Sequence, residues 1–206
     1  MSPERMGGIG AVLHVELERA ERAGSSAKSV VLVEGVTDRF ALETLAKRTG
    51  RDLDAEGVVV IPTGGATNFG RFLDLLGPTG HDAGLAGMCD EGEETAFRRA
   101  IENAGVGSGL DRAAMESLGF YVCVPDLEGE LFRALGPAGF HELLGIRGEL
   151  KRFQSFQNQP AHRHDPLDLQ LWNWFVSHKL PYSWLVVTAL PLDAVPHPLR
   201  KVLAHV

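Results

Sequence analysis

From Ser29 onward the apolar positions fall into short, nearly continuous runs, separated by longer stretches where apolar residues return every three or four positions. Runs of the first kind suit strands covered on both faces, and the second kind suits helices with one buried stripe. The predicted strands are Ser29 to Val33, Gly57 to Ile61, Leu85 to Cys89 and Phe120 to Val124. The predicted helices between them are Asp38 to Thr49, Asn68 to Leu76 and Glu93 to Asn103, with a shorter piece from Asp111 to Leu118. Gly50, Gly77 and Gly105 stand where these helices should stop. Such alternation is the pattern of a parallel α/β sheet.

Ahead of this region, Ile9 to Ala23 spaces Val12, Leu13, Leu17 and Ala20 at helical intervals and predicts an amphipathic lead-in helix. Beyond Asp126 the strand signal fades. The remainder reads as helices over Glu128 to Leu135, Gly139 to Leu144, Arg147 to Phe156, Pro166 to His178, Pro181 to Leu190 and Pro198 to His205. Pro166, Pro181 and Pro198 stand near helix starts, where a missing N–H costs nothing. Val186, Val187 and Thr188 leave a strand open as the alternative for Pro181 to Leu190. The expected organisation is an N-terminal helix over residues 1–27, an α/β core over 28–136, and a helical C-terminal extension over 137–206 packed on that core.

Composition adds bounds. The chain has 206 residues, 44% of them hydrophobic and 23% charged, enough to bury a full core. Its formal net charge of −7 argues against a broad basic surface for holding nucleic acid. It does not exclude a nuclease, because carboxylates gathered around divalent cations count as negative in this tally. Cys89 and Cys123 each close an apolar run and read as small core residues, not as a disulfide or a zinc site. No apolar stretch approaches the roughly 20 residues of a membrane span, and no signal-peptide pattern opens the chain, so the expected setting is the cytoplasm, with no membrane partner.

The chemistry concentrates in acids. Three of the four predicted strands run into carboxylates: Glu34 after Val33, Asp90 after Cys89, and Asp126 just beyond Val124. In an open parallel sheet the carboxyl ends of the strands share one edge, where ligands bind. Asp38 adds a fourth acid at the entry of the helix after Glu34, one turn being enough to bring it back beside that strand end. Converging carboxylates repel unless protonated or bridged by metal, and hard oxygen ligands favour Mg²⁺, Mn²⁺ or Ca²⁺. Two such ions serve phosphodiester chemistry. The plainer alternative is helix capping, which by itself accounts for Asp38, Glu93 and Glu128.

The residues Val31-Leu32-Val33-Glu34-Gly35-Val36-Thr37-Asp38 resemble the opening motif of a TOPRIM domain, the module shared by topoisomerases, bacterial primases and several nucleases. The resemblance continues through the strand leading into Thr63-Gly64-Gly65-Ala66-Thr67 and through Leu85 to Asp90. The segment from Phe120 to Leu131, with Pro125-Asp126-Leu127-Glu128-Gly129-Glu130, is similar to the variety found in overcoming-lysogenization-defect (OLD) nucleases. Together these motifs span about half the chain.

That resemblance implies a TOPRIM-like Rossmannoid α/β fold with a mainly parallel sheet, and a Mg²⁺- or Mn²⁺-dependent endonuclease using two ions. Glu34 and Asp38 would share metal with an acidic motif beginning at Asp90. Where the familiar motif is Asp-x-Asp, this chain reads Asp90-Glu91-Gly92-Glu93-Glu94, so Glu93 is the preferred second ligand and Glu94 the next. Asp126, Glu128 and Glu130 are then ligands for the second ion. Lys179, before Pro181, is the basic residue expected to neutralise charge on the phosphate, with an ordinary surface lysine as its alternative. OLD-type proteins couple the nuclease to an ATPase, and no Gly-x-x-x-x-Gly-Lys-Ser/Thr loop occurs here, so ATP dependence would come from a separate partner.

Three further features are weaker. Gly64-Gly65 is either a phosphate cradle or a tight turn. Arg147, Lys151, Arg152 and Arg163 form the richest basic region and are read as a path for a nucleic-acid backbone, or as a solvated face. Trp172, Trp174, Phe175, Tyr182 and Trp184 are either base-stacking residues or core. The expected substrate is DNA; a ribonuclease, another nucleotidyl-transfer enzyme and a non-catalytic nucleic-acid-binding module stay open.

Overall fold

The computed structural model describes residues 8–206. In chain order the elements are α1 (Gly8–Ser26), β1 (Ser29–Val33), α2 (Val36–Arg48), α3 (Leu53–Glu56), β2 (Val58–Pro62), α4 (Phe69–Leu76), β3 (Gly84–Asp90), α5 (Glu94–Asn103), α6 (Arg112–Ser117), β4 (Phe120–Cys123), α7 (Leu127–Ile146), α8 (Leu150–Gln157), α9 (Leu167–Ser177), α10 (Lys179–Ala189) and α11 (His197–His205). The four strands form one parallel sheet in the order β2-β1-β3-β4, with Val31 in register with Val60 on one side and Ala86 on the other. This is the expected α/β architecture. No helix among the described residues is long and apolar enough to cross a membrane.

Alternation along the strands divides the core in two, because successive side chains point to opposite faces of a sheet. Val31, Val33, Val58, Val60, Met88 and Cys123 join a cluster with α2, α7 and α8 to α11. Val30, Leu32, Ile61, Cys89, Phe120 and Val122 join the other, with α1, α4, α5 and α6. Cys89 and Cys123 therefore lie buried on opposite faces and cannot bridge each other.

The helices following β1 and β3 cover different faces: Leu42 and Leu45 of α2 belong to the first cluster, Phe97 and Ile101 of α5 to the second. With β1 and β3 adjacent, the chain diverges there to both sides and both faces. That divergence opens a crevice beyond the strands' carboxyl ends. Glu34 and Asp90 flank it.

Several expected boundaries moved. The segment from Pro181 to Leu190 is the expected helix, starting two residues earlier, and the strand alternative falls: α10 buries Tyr182 with Val186, and Ser183 with Val187, each pair one turn apart. Pro181 is tolerated because it sits in the first turn. The two helices expected between Glu128 and Leu144 are present as the two arms of α7, parted at Gly136, whose φ of 72° and ψ of 161° are not helical and precede Pro137. The helix expected from Arg147 starts at Leu150, since Gly148 takes a φ of 68° and ends the preceding turn. The short α3, capped by Asp52 accepting from the Ala55 N–H, was not legible in the pattern. Of the expected N-terminal helix, α1 supplies residues 8–26, and residues 1–7 lie outside the described residues.

Candidate active site

Glu34 is gripped at both ends. Its backbone carbonyl accepts the N–H groups of Gly64 and Gly65 at 3.0 and 3.1 Å, and its Oε1 accepts the Asp90 N–H at 2.8 Å. The turn needs glycine because φ is 75° at Gly64 and 116° at Gly65. These two amides are therefore occupied by Glu34, which favours the tight turn over the phosphate cradle. Thr63, fully buried, reinforces the join by donating its Oγ1 hydrogen to Val33 O at 3.1 Å.

Asp38 stands at the third position of α2 and accepts the Gly35 N–H at 2.7 Å, closing the helix start. Asp90 ends β3, and its Oδ1 accepts the Leu127 N–H at 3.3 Å. Asp126 caps α7 by accepting the Gly129 N–H at 2.7 Å. One residue into the same helix, Glu128 is buried and meets Lys179 Nζ at 3.3 Å. The Lys179 side chain keeps 44% of its surface exposed, against 6% for Glu128. Helix α10 thus brings a cation to an acid that precedes it by about fifty residues.

The electrostatics place these acids in one field. Burial, then the charges of Asp90, Glu128 and Glu34, push the Asp38 carboxyl up to about 7, against the opposing Gly35 hydrogen bond. Burial and the charges of Glu34, Asp126 and Glu128 push Asp90 up to about 7 as well. Glu34 is raised by burial and by Glu93 and Glu128, while the Asp90 amide and Lys179 act in the opposite direction. Shifts of this origin, in a crevice, mark candidate functional groups.

The remaining acids separate by partner. Glu93 acts on Glu34 through its charge. Glu94 is instead engaged by Arg112, which reaches its Oε1 from Nε at 3.3 Å, forms a second contact with its Oε2, and meets Glu91 Oε1 at 3.4 Å. That clamp holds the Glu94 carboxyl below its usual range. Arg112 carried no sequence signal, being eighteen residues from Glu94. Glu130 Oε1 accepts the Val124 N–H at 3.1 Å, and its other oxygen faces Arg133 at 3.7 Å.

The basic region is uneven. Arg147 pairs with Glu149 at 2.9 Å and lies over the Tyr182 ring, and Arg152 lies over Trp174. Lys151 and Arg163 are exposed. Among the aromatics, Trp174, Phe175 and Tyr182 are core; Trp172 is half-buried and Trp184 exposed.

Glu34, Asp38, Asp90, Asp126 and Glu128 supply hard oxygen donors with Lys179 as counter-charge, and in kind this set fits a divalent cation such as Mg²⁺ or Mn²⁺. Their spacing is open: among the described residues no group of three or more His, Cys, Asp or Glu side chains stands close enough together to hold a metal ion as it is. Backbone N–H groups anchor Glu34, Asp38, Asp90 and Asp126 individually.

Residues 27–83 match the family described as overcoming lysogenization defect protein-like, TOPRIM domain. Over this span the chain is similar to an OLD-like TOPRIM domain. The matched span covers Glu34, Asp38 and the Gly64-Gly65 turn; Asp90, Asp126, Glu128 and Lys179 lie beyond it. The C-terminal region of the Burkholderia pseudomallei OLD protein shares the fold, with a TM-score of 0.68 at 21% identity, covering 87% of this chain and 96% of that one. The C-terminal region of the Xanthomonas campestris pv. campestris OLD protein, phased with mercury, is similar at a TM-score of 0.62 and 26% identity over 87% of this chain and 94% of that one. No curated protein matches the chain.

Proposed function

We propose that this protein is a Mg²⁺- or Mn²⁺-dependent endonuclease that hydrolyses DNA phosphodiesters in the crevice between β1 and β3. The observation carrying this reading is the convergence of Glu34, Asp38, Asp90 and Glu128 in one field, where the charges of Glu34 and Glu128 raise both Asp38 and Asp90, with Lys179 at its rim. Glu34, Asp38 and Asp90 would hold one ion, with Glu93 at its flank; Asp126 and Glu128 would hold the second. When bound, such ions supply an ionised water and neutralise charge on the attacking and leaving oxygens.

The chain's own residues prepare that chemistry. The Asp90 amide and the Gly64-Gly65 turn fix the Glu34 carboxylate before any ligand arrives. Asp38 and Asp90, raised to about 7, release protons as cation binds, which makes loading pH-dependent near neutrality. Lys179, half in solvent, is placed to exchange Glu128 for a phosphate oxygen. Glu94 and Glu130 serve as anchors in this reading, held by Arg112 and by the Val124 amide. Lys151, Arg152 and Arg163 would guide the nucleic-acid backbone, with Arg147 a lesser contributor because Glu149 neutralises it. The setting would be cytoplasmic, with any ATP-driven step supplied by a separate ATPase.

The test is plasmid cleavage by pure protein. Mn²⁺ or Mg²⁺ should support it, EDTA should stop it, and Asp90→Asn should abolish it. Full activity in Asp90→Asn would sink the site, and cleavage of RNA alone would move the substrate from DNA. The open spacing of the acids favours one second reading, a nucleic-acid-binding module without turnover. Calorimetric titration separates the two, because a module without turnover would take up no Mn²⁺ at millimolar concentration.

A further inference from the structure

A recess of about 460 Å³ runs along α7 beside the acids, lined by Pro125, Gly129, Phe132, Arg133, Pro137 and Trp172. Its walls are aromatic, with the Phe132 and Trp172 rings 5.5 Å apart and nearly perpendicular at 69°. Trp172 is stiffened from behind by Phe175, at 6.1 Å. The kink at Gly136 turns Pro137 into the far rim. Carboxylates are absent from the lining, and its one charged residue, Arg133, has a side chain 58% exposed.

The recess adjoins the acid site through the cap of α7. Pro125 and Gly129 line it, while Asp126 between them caps the same helix through the Gly129 N–H. A side chain at Gly129 would meet Pro125 Cδ at 2.9 Å and Asp126 Oδ1 at 3.0 Å, so glycine there lets the cap and the wall of the recess pack closely. From Asp126 to Phe132 the helix rises about 9 Å, at 1.5 Å per residue. A strand held at its phosphate by the acids would therefore bring a neighbouring base over the recess.

We propose that this recess receives an unpaired nucleobase, stacked on Trp172 and Phe132, and that the protein engages single-stranded nucleic acid next to the bond it cuts. Aromatic faces stack any base without reading its sequence, and the Arg133 guanidinium at the rim, which donates to the Val124 carbonyl and faces Glu130, leaves the stacking to the rings. A paired base inside a duplex cannot enter such a recess without leaving its stack. The inference rests on the acid site being the place where a phosphodiester is bound.

The test measures anisotropy of labelled oligothymidylate and oligouridylate in Ca²⁺, each against an abasic strand of equal length. Wild-type protein should bind the base-bearing strand about tenfold more tightly than the abasic one. Trp172→Leu, which keeps apolar volume but has no aromatic face, should erase that preference, and Trp172→Phe should keep most of it. Thermal melts of both variants confirm folding, and the wild-type abasic comparison needs no variant. Equal binding of base-bearing and abasic strands, no binding of either, or an unchanged preference in Trp172→Leu would each overturn the proposal. A preference for deoxy or ribo strands identifies the source of the base. Parallel Mn²⁺ cleavage keeps the two ideas apart: cleavage without base preference rejects the recess alone, and base preference without cleavage rejects the nuclease reading alone.

Discussion

The Asp90 amide donates to the Glu34 carboxylate at 2.8 Å, joining the ends of β1 and β3 across the point where the chain diverges. One side chain thereby does two jobs, closing a backbone donor and offering a negative oxygen to the crevice. The two jobs separate by substitution. Glu34→Gln keeps an acceptor for the Asp90 N–H, so the thermal midpoint should hold while cleavage falls about a hundredfold or more. Glu34→Ala leaves that amide without its partner and should cost about 1–3 kcal/mol in addition. Equal loss of stability in both variants, by denaturant titration, would refute the division.

The raised carboxyls of Asp38 and Asp90 predict the sign of a pH effect in metal-free protein. Between their ordinary value of 3.8 and about 7, the folded chain holds protons that the unfolded chain has released. Their contribution is therefore fully favourable at acid pH and is lost as pH rises through about 7. Asp38→Asn retains an oxygen for the Gly35 N–H and removes the charge, so it should raise the thermal midpoint in EDTA more at about pH 8 than at about pH 5. A gain independent of pH would show that the Asp38 charge is not the cause.

Glu93 and Glu94 are neighbours in sequence but not in function. Glu93→Gln should weaken Mn²⁺ binding about tenfold or more, since its charge acts on Glu34. Glu94→Gln should leave Mn²⁺ affinity unchanged and lose only the half-exposed Arg112 pair, worth about 0.2–1 kcal/mol. Isothermal titration decides between them, and the reverse pattern would make Glu94 the ligand.

Sequence alone located Glu34, Asp38, Asp90 and Asp126 because parallel strands deliver their following residues to one edge, whatever their separation along the chain. It did not separate Glu128 from Glu130. Both lie in the first turn of α7, and only packing decides that one faces Lys179 while the other turns back to the Val124 amide. The Arg112 clamp stayed hidden because a pairing eighteen residues apart leaves no periodic trace. In α10 the β-branched run Val186-Val187-Thr188 left a strand open beside the expected helix, and the one-turn spacing of buried Tyr182 and Val186 decides for the helix.

Lys179 offers the sharpest separation of charge from packing. Its ammonium meets buried Glu128 and also opposes the raised carboxyl of Glu34. Lys179→Met keeps much of the apolar stem, so the fold should stand, but Glu34 then titrates higher and cation loading requires higher pH. Cleavage should fall about a hundredfold at neutral pH, with the remaining activity displaced toward alkaline pH. Lys179→Arg should restore the pH profile while recovering only part of the rate, since a planar guanidinium replaces the compact ammonium. Were Lys179 only a surface residue, both variants would cleave at the wild-type rate with the wild-type pH profile.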